Sequence, residues 1–377
     1  MKSVYLDNAA TTPIDNEVIT RVTQVMGEVY GNPSSTHQFG RKAKVIVEEA
    51  RKSIANHFNV TAGEIVFTAG GSEADNLALR NAIVNLNVKR IIISNIEHHA
   101  VLHTVQALKK EFNIIVDYVA VDGKGIINYQ HLEELLSSTD VKTLVSLMYL
   151  NNELGNLLDL KKVSDLCIEN NALFHSDTVQ AIGHYPIDLQ QIPIDFIAAS
   201  AHKFHGPKGV GFAIVKKGFG IQPILIGGEQ ERGARAGTEN VHNIAGMHTA
   251  LDIAFTNLEK DKQYITELKN YFIKQLKMIL PEIAFNGCSE DLERSSYIIL
   301  NVRFPKELPM LLFSLDLKGI AASGGSACQS GSNKGSHVLN TVLSRTDAEK
   351  TSVRFSFSKY ITIEDLDYTL EVIKGLV

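Results

Sequence analysis

The chain has 377 residues, 44% of them hydrophobic and 21% charged, and a formal net charge of -5. That balance describes an ordinary soluble globular protein, long enough for two domains or for one large and one smaller. Net acidity without a basic block argues against direct nucleic-acid binding, and no apolar run is long enough to cross a bilayer, so the expected partners are small molecules and proteins.

The opening "MKSVYLDNAATTPID" reaches a charged residue and a turn too early for a secretory signal. Cys167, Cys288 and Cys328 are odd in number and far apart, with no C-x-x-C pair for a zinc site or a redox dithiol. A cytoplasmic, reducing compartment fits. From about residue 60 to 220, short apolar runs alternate with polar loops and segments of helical period, which is α/β grammar. "EIVFTAGGSEADNLAL" (64–79), "RIIISNIEHHAVLHTV" (90–105), "TLVSLMYLNNELG" (143–155), "ALFHSDTVQAIG" (172–183) and "FIAASAHKFHGPKGVGFAIV" (196–215) each open on a run suited to a buried strand, then turn polar. Ligands of open α/β sheets bind beyond the strand ends, so these loops are candidates to share one site. Near residue 258 the pattern changes to a long helix whose stripe is Ile265, Leu268, Phe272, Leu276 and Ile279, stopped by Pro281. It marks the passage into a second domain.

Several residues in these loops carry chemistry, each with a plainer reading beside it. Lys203 follows an apolar strand, where a lysine tends to lose its charge and become a Schiff-base amine; it is equally a snorkelling lysine covering apolar surface. Asp177 ends a strand, with Gln180 where a loop would turn into a helix; the carboxylate suits a helix cap or a positively charged ring nitrogen. "TAGGSEADN" sets two glycines before Ser72 and Asp75 three residues after it, resembling a capping box at a helix start that suits a phosphate. His98, His99 and His103 lack H-E-x-x-H spacing, so no metal site is expected, and a ring here stacks on a flat cofactor or serves as a hydrogen-bonded structural histidine. Arg354, flanked by Ser352 and Ser356 on an alternating strand, matches a carboxylate bidentately or makes an ordinary salt bridge. Cys328 lies in "SGGSACQSGSNKGSH" (323–337), a run that packs no core. Together the set meets the needs of pyridoxal phosphate chemistry.

In that combination, and through "YLDNAATTP", "GNPSSTHQFG", "NNELG", "SAHKFHGPKGVG", "ERGARAGTEN" and "SVRFSFS" in order, the sequence resembles the pyridoxal phosphate-dependent cysteine desulfurases of the NifS/IscS type, within the class V aminotransferase family. The resemblance implies an α/β, aminotransferase-like fold type I. A large domain (15–257) would hold a mixed, mostly parallel sheet, and a smaller α+β domain (1–14 and 258–377) would carry the Cys328 loop. It implies that Lys203 binds pyridoxal 5'-phosphate covalently, that His98 stacks on the ring and assists proton transfer, that Asp177 pairs with the ring nitrogen and that Gln180 bonds the ring hydroxyl. Gly71, Ser72, Ser200 and His202 would hold the phosphate, with Thr238 reaching in from the second subunit of a homodimer. Asn152 and Arg354 would hold the carboxylate of L-cysteine, and Cys328 would take its sulfur as a persulfide and pass it to an acceptor such as an iron–sulfur scaffold, or toward tRNA thiolation. Two departures stand out: "NKGSHVL" replaces the family's usual stretch after the cysteine, and Ser72 stands where threonine is common, which keeps the hydroxyl. A selenocysteine lyase or another lyase or aminotransferase of the same fold is the alternative.

Overall fold

The computed structural model describes residues 2–138, 140–324 and 335–377. Its strands, in chain order, are β1 (Val4–Tyr5), β2 (Ile65–Thr68), β3 (Arg90–Ile93), β4 (Ile115–Tyr118), β5 (Thr143–Ser146), β6 (Leu173–Asp177), β7 (Phe196–Ser200), β8 (Gly211–Val215), β9 (Ala284–Phe285), β10 (Ile299–Arg303), β11 (Ile320–Ala321) and β12 (Ser352–Ser356). A seven-stranded sheet takes the order β2-β8-β7-β6-β5-β3-β4, with β8 antiparallel to both neighbours and the other pairings parallel.

The sheet is buried on both faces, and the period of two sorts its side chains. Ile92, Val145, Ile197 and Ile214 pack with helices Asn16–Glu28, Gln38–His57 and Val241–Thr256, whereas Ile91, Ile93, Leu144, Ala198 and Ala213 pack with Gly71–Val84 and His99–Phe112. A strand covered on both faces is mostly apolar, which is why Ile91–Ile93 and Phe196–Ala199 read as uninterrupted runs. Strand β4 escaped the sequence reading: it is an edge strand, partly exposed along its length, and its composition is correspondingly mixed. Chain direction across the sheet reverses between β3 and β5, because β4 lies outside β3 while β6 and β7 continue on the far side of β5. Crevices beyond the carboxyl ends at such a reversal are ligand sites.

A second core forms around a three-stranded antiparallel sheet, β12-β10-β9. Helix Leu258–Ile279 packs on it through Ile265, Leu268, Phe272 and Leu276, with Ile279 partly buried at its end. The amino terminus joins this unit through Val4 and Leu6, as β1 pairs in parallel with β11. Among the described residues no helix is long and apolar enough to cross a membrane.

Lys269 on the same helix is fully buried and donates to the Ser296 carbonyl and, at 3.4 Å, to Ser295 Oγ. Burial pulls its ammonium down from 10.5 to about 7. The folded value lies below the unfolded one, so stability is fully present above the ordinary lysine range and is lost as pH falls toward 7. Lys269→Met is expected to raise the melting temperature at pH 6, by an amount equivalent to about 1–4 kcal/mol. The gap should narrow at pH 9; thermal melts at both pH values check this, and a gap independent of pH would contradict it.

Candidate active site

The carboxyl ends of β3, β5, β6 and β7 surround a cavity of about 190 Å³. Lys203 follows β7 in a single 3-10 turn, Ala201–Lys203. Its Nζ donates to the carbonyls of Ala9 (2.6 Å) and Ala10 (2.9 Å), so the amino-terminal turn forms one wall. Gln180 Nε2 donates to the same Ala9 carbonyl at 2.7 Å. Asp177 is the last residue of β6, and its Oδ1 accepts from the Val179 amide at 3.0 Å. Burial raises the Asp177 carboxyl, while that amide and Lys203 pull it back down. Residues 179–184 form turns, so Gln180 does not begin a helix and Asp177 closes a local turn instead of capping a helix.

Opposite lies the start of helix Gly71–Val84. The sequence reading put a capping box at Ser72; the N-cap is instead Gly70, at φ 152° and ψ -174°, a conformation essentially reserved for glycine. Ser72 is therefore inside the first turn, and the Ala69 amide is taken by Glu73 rather than by a box partner. A Cβ on Gly70 would come 3.3 Å from Ser200 Oγ, and one on Gly71 would come 2.4 Å from Val179 Cγ2. The two glycines thus let a bare helix N-terminus, with its unsatisfied amides, open into the cavity beside Ser200. His202 also lines it; burial and the neighbouring Lys203 hold its imidazole down to about 4, so it is neutral at physiological pH and its Nδ1 lies 3.2 Å from Thr11 Oγ1.

His98 caps helix His99–Phe112, its Nδ1 accepting from the Ala100 amide at 3.1 Å. That bond assigns the proton of the neutral ring to Nε2. Asn152 sits in the "NNELG" turn, which Asn151 closes by accepting the amides of Glu153 and Leu154. Gly155 leaves that turn at φ 79°, a geometry favouring glycine. Arg354, on β12, is 1% exposed; it donates to the Asn152 carbonyl at 2.7 Å and to Asp7 Oδ1 at 2.9 Å, and its Nε has no hydrogen-bond partner among the described residues. Arg354 also lines the cavity, and a buried guanidinium with hydrogen-bonding capacity left over suits an anion.

The structure therefore gathers Gly71, Ser72, His98, Asn152, Asp177, Gln180, Ser200, His202, Lys203 and Arg354 around one cavity. Thr238 lies apart, exposed in the loop before helix Val241–Thr256. Cys328 falls outside the described residues, but both flanks are fixed. Ser323 pairs with Arg354 through the backbone and donates to Asp7 Oδ1 at 2.8 Å, and Ser336 donates to Glu153. No group of metal-ligating side chains able to hold an ion occurs among the described residues. Sequence reasoning assigned no role to Asp7, which orients Arg354, or to His175, which lies under Asp75; the early "YLDNAATTP" turn, polar without periodicity, was the available signal for the first.

A sequence model of the class-V aminotransferases matches residues 4–369. The chain belongs to this family. Its class-V relatives include the cysteine desulfurase IscS of Clostridium botulinum, 40% identical over all of this chain and 94% of the relative, and that of Dictyoglomus turgidum, 38% identical over all of this chain and 95% of the relative. A solved structure titled NifS-like protein superposes with a TM-score of 0.91 at 34% identity, covering 99% of each chain, and a NifS-like protein from Rickettsia africae does so with 0.89 at 31% identity, covering 100% of this chain and 99% of that one. This class-V chain has the type I fold of pyridoxal phosphate enzymes and falls among the cysteine desulfurases. The cavity fits that cofactor: amides and hydroxyls for a phosphate at the glycine cradle, a carboxylate and an amide side chain for the ring's polar edge, and an amine for its aldehyde.

Proposed function

We propose that this chain is a cysteine desulfurase that takes L-cysteine into the Lys203 cavity, passes its sulfur to Cys328 as a persulfide and releases L-alanine. The observation that carries the reading is the convergence of Lys203, Asp177, the Gly71–Ser72 cradle and Arg354 on one cavity. Gly71, Ser72, Ser200 and the neutral His202 hold the cofactor phosphate, and Thr238 of a second copy completes that shell in a homodimer. Asp177 faces the ring nitrogen and Gln180 the ring hydroxyl. Bound pyridoxal phosphate supplies an electron sink for the pair left when the substrate Cα loses its proton. Lys203 would be the attachment point of the cofactor and, when free, would hold a proton on Nζ; His98 would move protons at Nε2. Arg354 and Asn152 fix the substrate carboxylate, which leaves the substrate sulfur for the Cys328 thiolate.

The larger unit is read as residues 15–257 and the smaller as 1–14 with 258–377. The setting is cytoplasmic, and the acceptor a protein such as an iron–sulfur scaffold, or a tRNA-thiolation partner. Incubating the cofactor-loaded protein with L-cysteine and no reductant, then mapping peptides by mass spectrometry, tests the reading. One added sulfur on the Cys328 peptide, with an equivalent of alanine, is expected; alanine without sulfur at Cys328 contradicts the assignment.

A further inference from the structure

A buried acid and imidazole beneath the cavity are used by no step above. Asp75 lies one turn into helix Gly71–Val84, 1% exposed, and lines the same cavity as Asp177. Its Oδ1 comes within 3.3 Å of Nε2 of the fully buried His175, yet the two atoms are misaligned and neither completes a hydrogen bond. The other ring nitrogen, Nδ1, is 2.8 Å from Ser146 Oγ. His175 and Asp177 are two residues apart on β6 and so share the face turned toward the helix that carries Asp75.

We propose that Asp75 and Asp177 hold one proton between them, that it resides on Asp75, and that the neutral Asp75 keeps Asp177 charged. This rests on reading Asp177 as the partner of the ring nitrogen, and it makes Asp75 a positioning residue. Two carboxylates sharing a dry site do not both ionise. Their surroundings differ. Asp177 accepts a backbone N–H and feels Lys203. Asp75 faces Asp177 from β6, whose charge opposes its own, and Glu97 from the loop after β3, which opposes it only when ionised. Glu97 is itself raised to about 8 by burial. His175 also faces Asp75, and burial pushes that imidazole down to about 3, so it brings no positive charge. A protonated Asp75 has an acceptor ready in His175 Nε2, with Nδ1–H then directed to Ser146 Oγ; small side-chain rotations complete the chain of three.

The test is the infrared spectrum of the pyridoxal phosphate-loaded protein at pH 7.5, with its aspartates carrying ¹³C in the side-chain carboxyl. An isotope-shifted band of a protonated carboxyl is expected in the unaltered protein and should vanish in Asp75→Asn. Absence of that band from the unaltered protein overturns the proposal whether or not the variant folds, and so does its persistence in Asp75→Asn. Because asparagine reproduces a neutral acid, the pH midpoint of the visible chromophore should move by less than about 0.3 unit in that variant, against a unit or more if Asp75 were charged. Asp177→Asn separates the underlying reading: an unchanged chromophore and cofactor affinity there remove the ring-nitrogen role, while the labelled band reports on Asp75.

Discussion

Lys203→Ala is expected to abolish the visible chromophore of the cofactor-loaded protein and to lower alanine production by roughly 10⁴-fold or more, since both the covalent attachment point and the nearest proton carrier are lost. The fold should survive. Lys203 Nζ bonds two carbonyls of the amino-terminal turn, and the Ala9 carbonyl keeps its bond from Gln180 Nε2. The loss in stability should be about 1 kcal/mol, the net worth of an ordinary hydrogen bond. Absorbance and thermal melting measured on one preparation check both halves. A chromophore that persists in Lys203→Ala would remove this lysine from its role.

Arg354→Lys is expected to raise KM for L-cysteine about 10²- to 10³-fold, with the chromophore of the resting protein unchanged. Arg354 holds two bonds with its terminal nitrogens, to Asn152 and Asp7, and keeps Nε in reserve. A lysine ammonium is a point charge without that fork, so it either stays with Asp7 or turns to the substrate. Losing one charge-assisted contact of this kind in a dry pocket costs about 2–5 kcal/mol. Steady-state kinetics separate this from damage to the cofactor site, which would shift the absorbance as well. Unaltered KM in Arg354→Lys would place the carboxylate elsewhere.

The central sheet was legible because strands buried on both faces are mostly apolar, and the Ile265–Leu276 stripe because one face of a long helix is. β4 was not, since an edge strand satisfies neither rule. Lys203, Asp177, His98 and Arg354 stood out as polar residues at the ends of apolar runs. Ser72 misled: glycine at 70 supplies a backbone geometry that no spacing rule encodes, so the helix begins two residues earlier than a serine cap would have it. Asp75 and His175 were invisible as a pair because they meet only when helix and strand pack, a contact that local patterns do not contain.

Residues 325–334 are bracketed by two fixed points. Ser323 is held by Asp7 and Arg354, and Ser336 by Glu153, so both ends are fastened by residues that lie outside the segment. Both seats belong to the pocket: Asp7 also holds Arg354, and Glu153 follows Asn152 in its turn, so a disturbance at either flank reaches the carboxylate-binding pair.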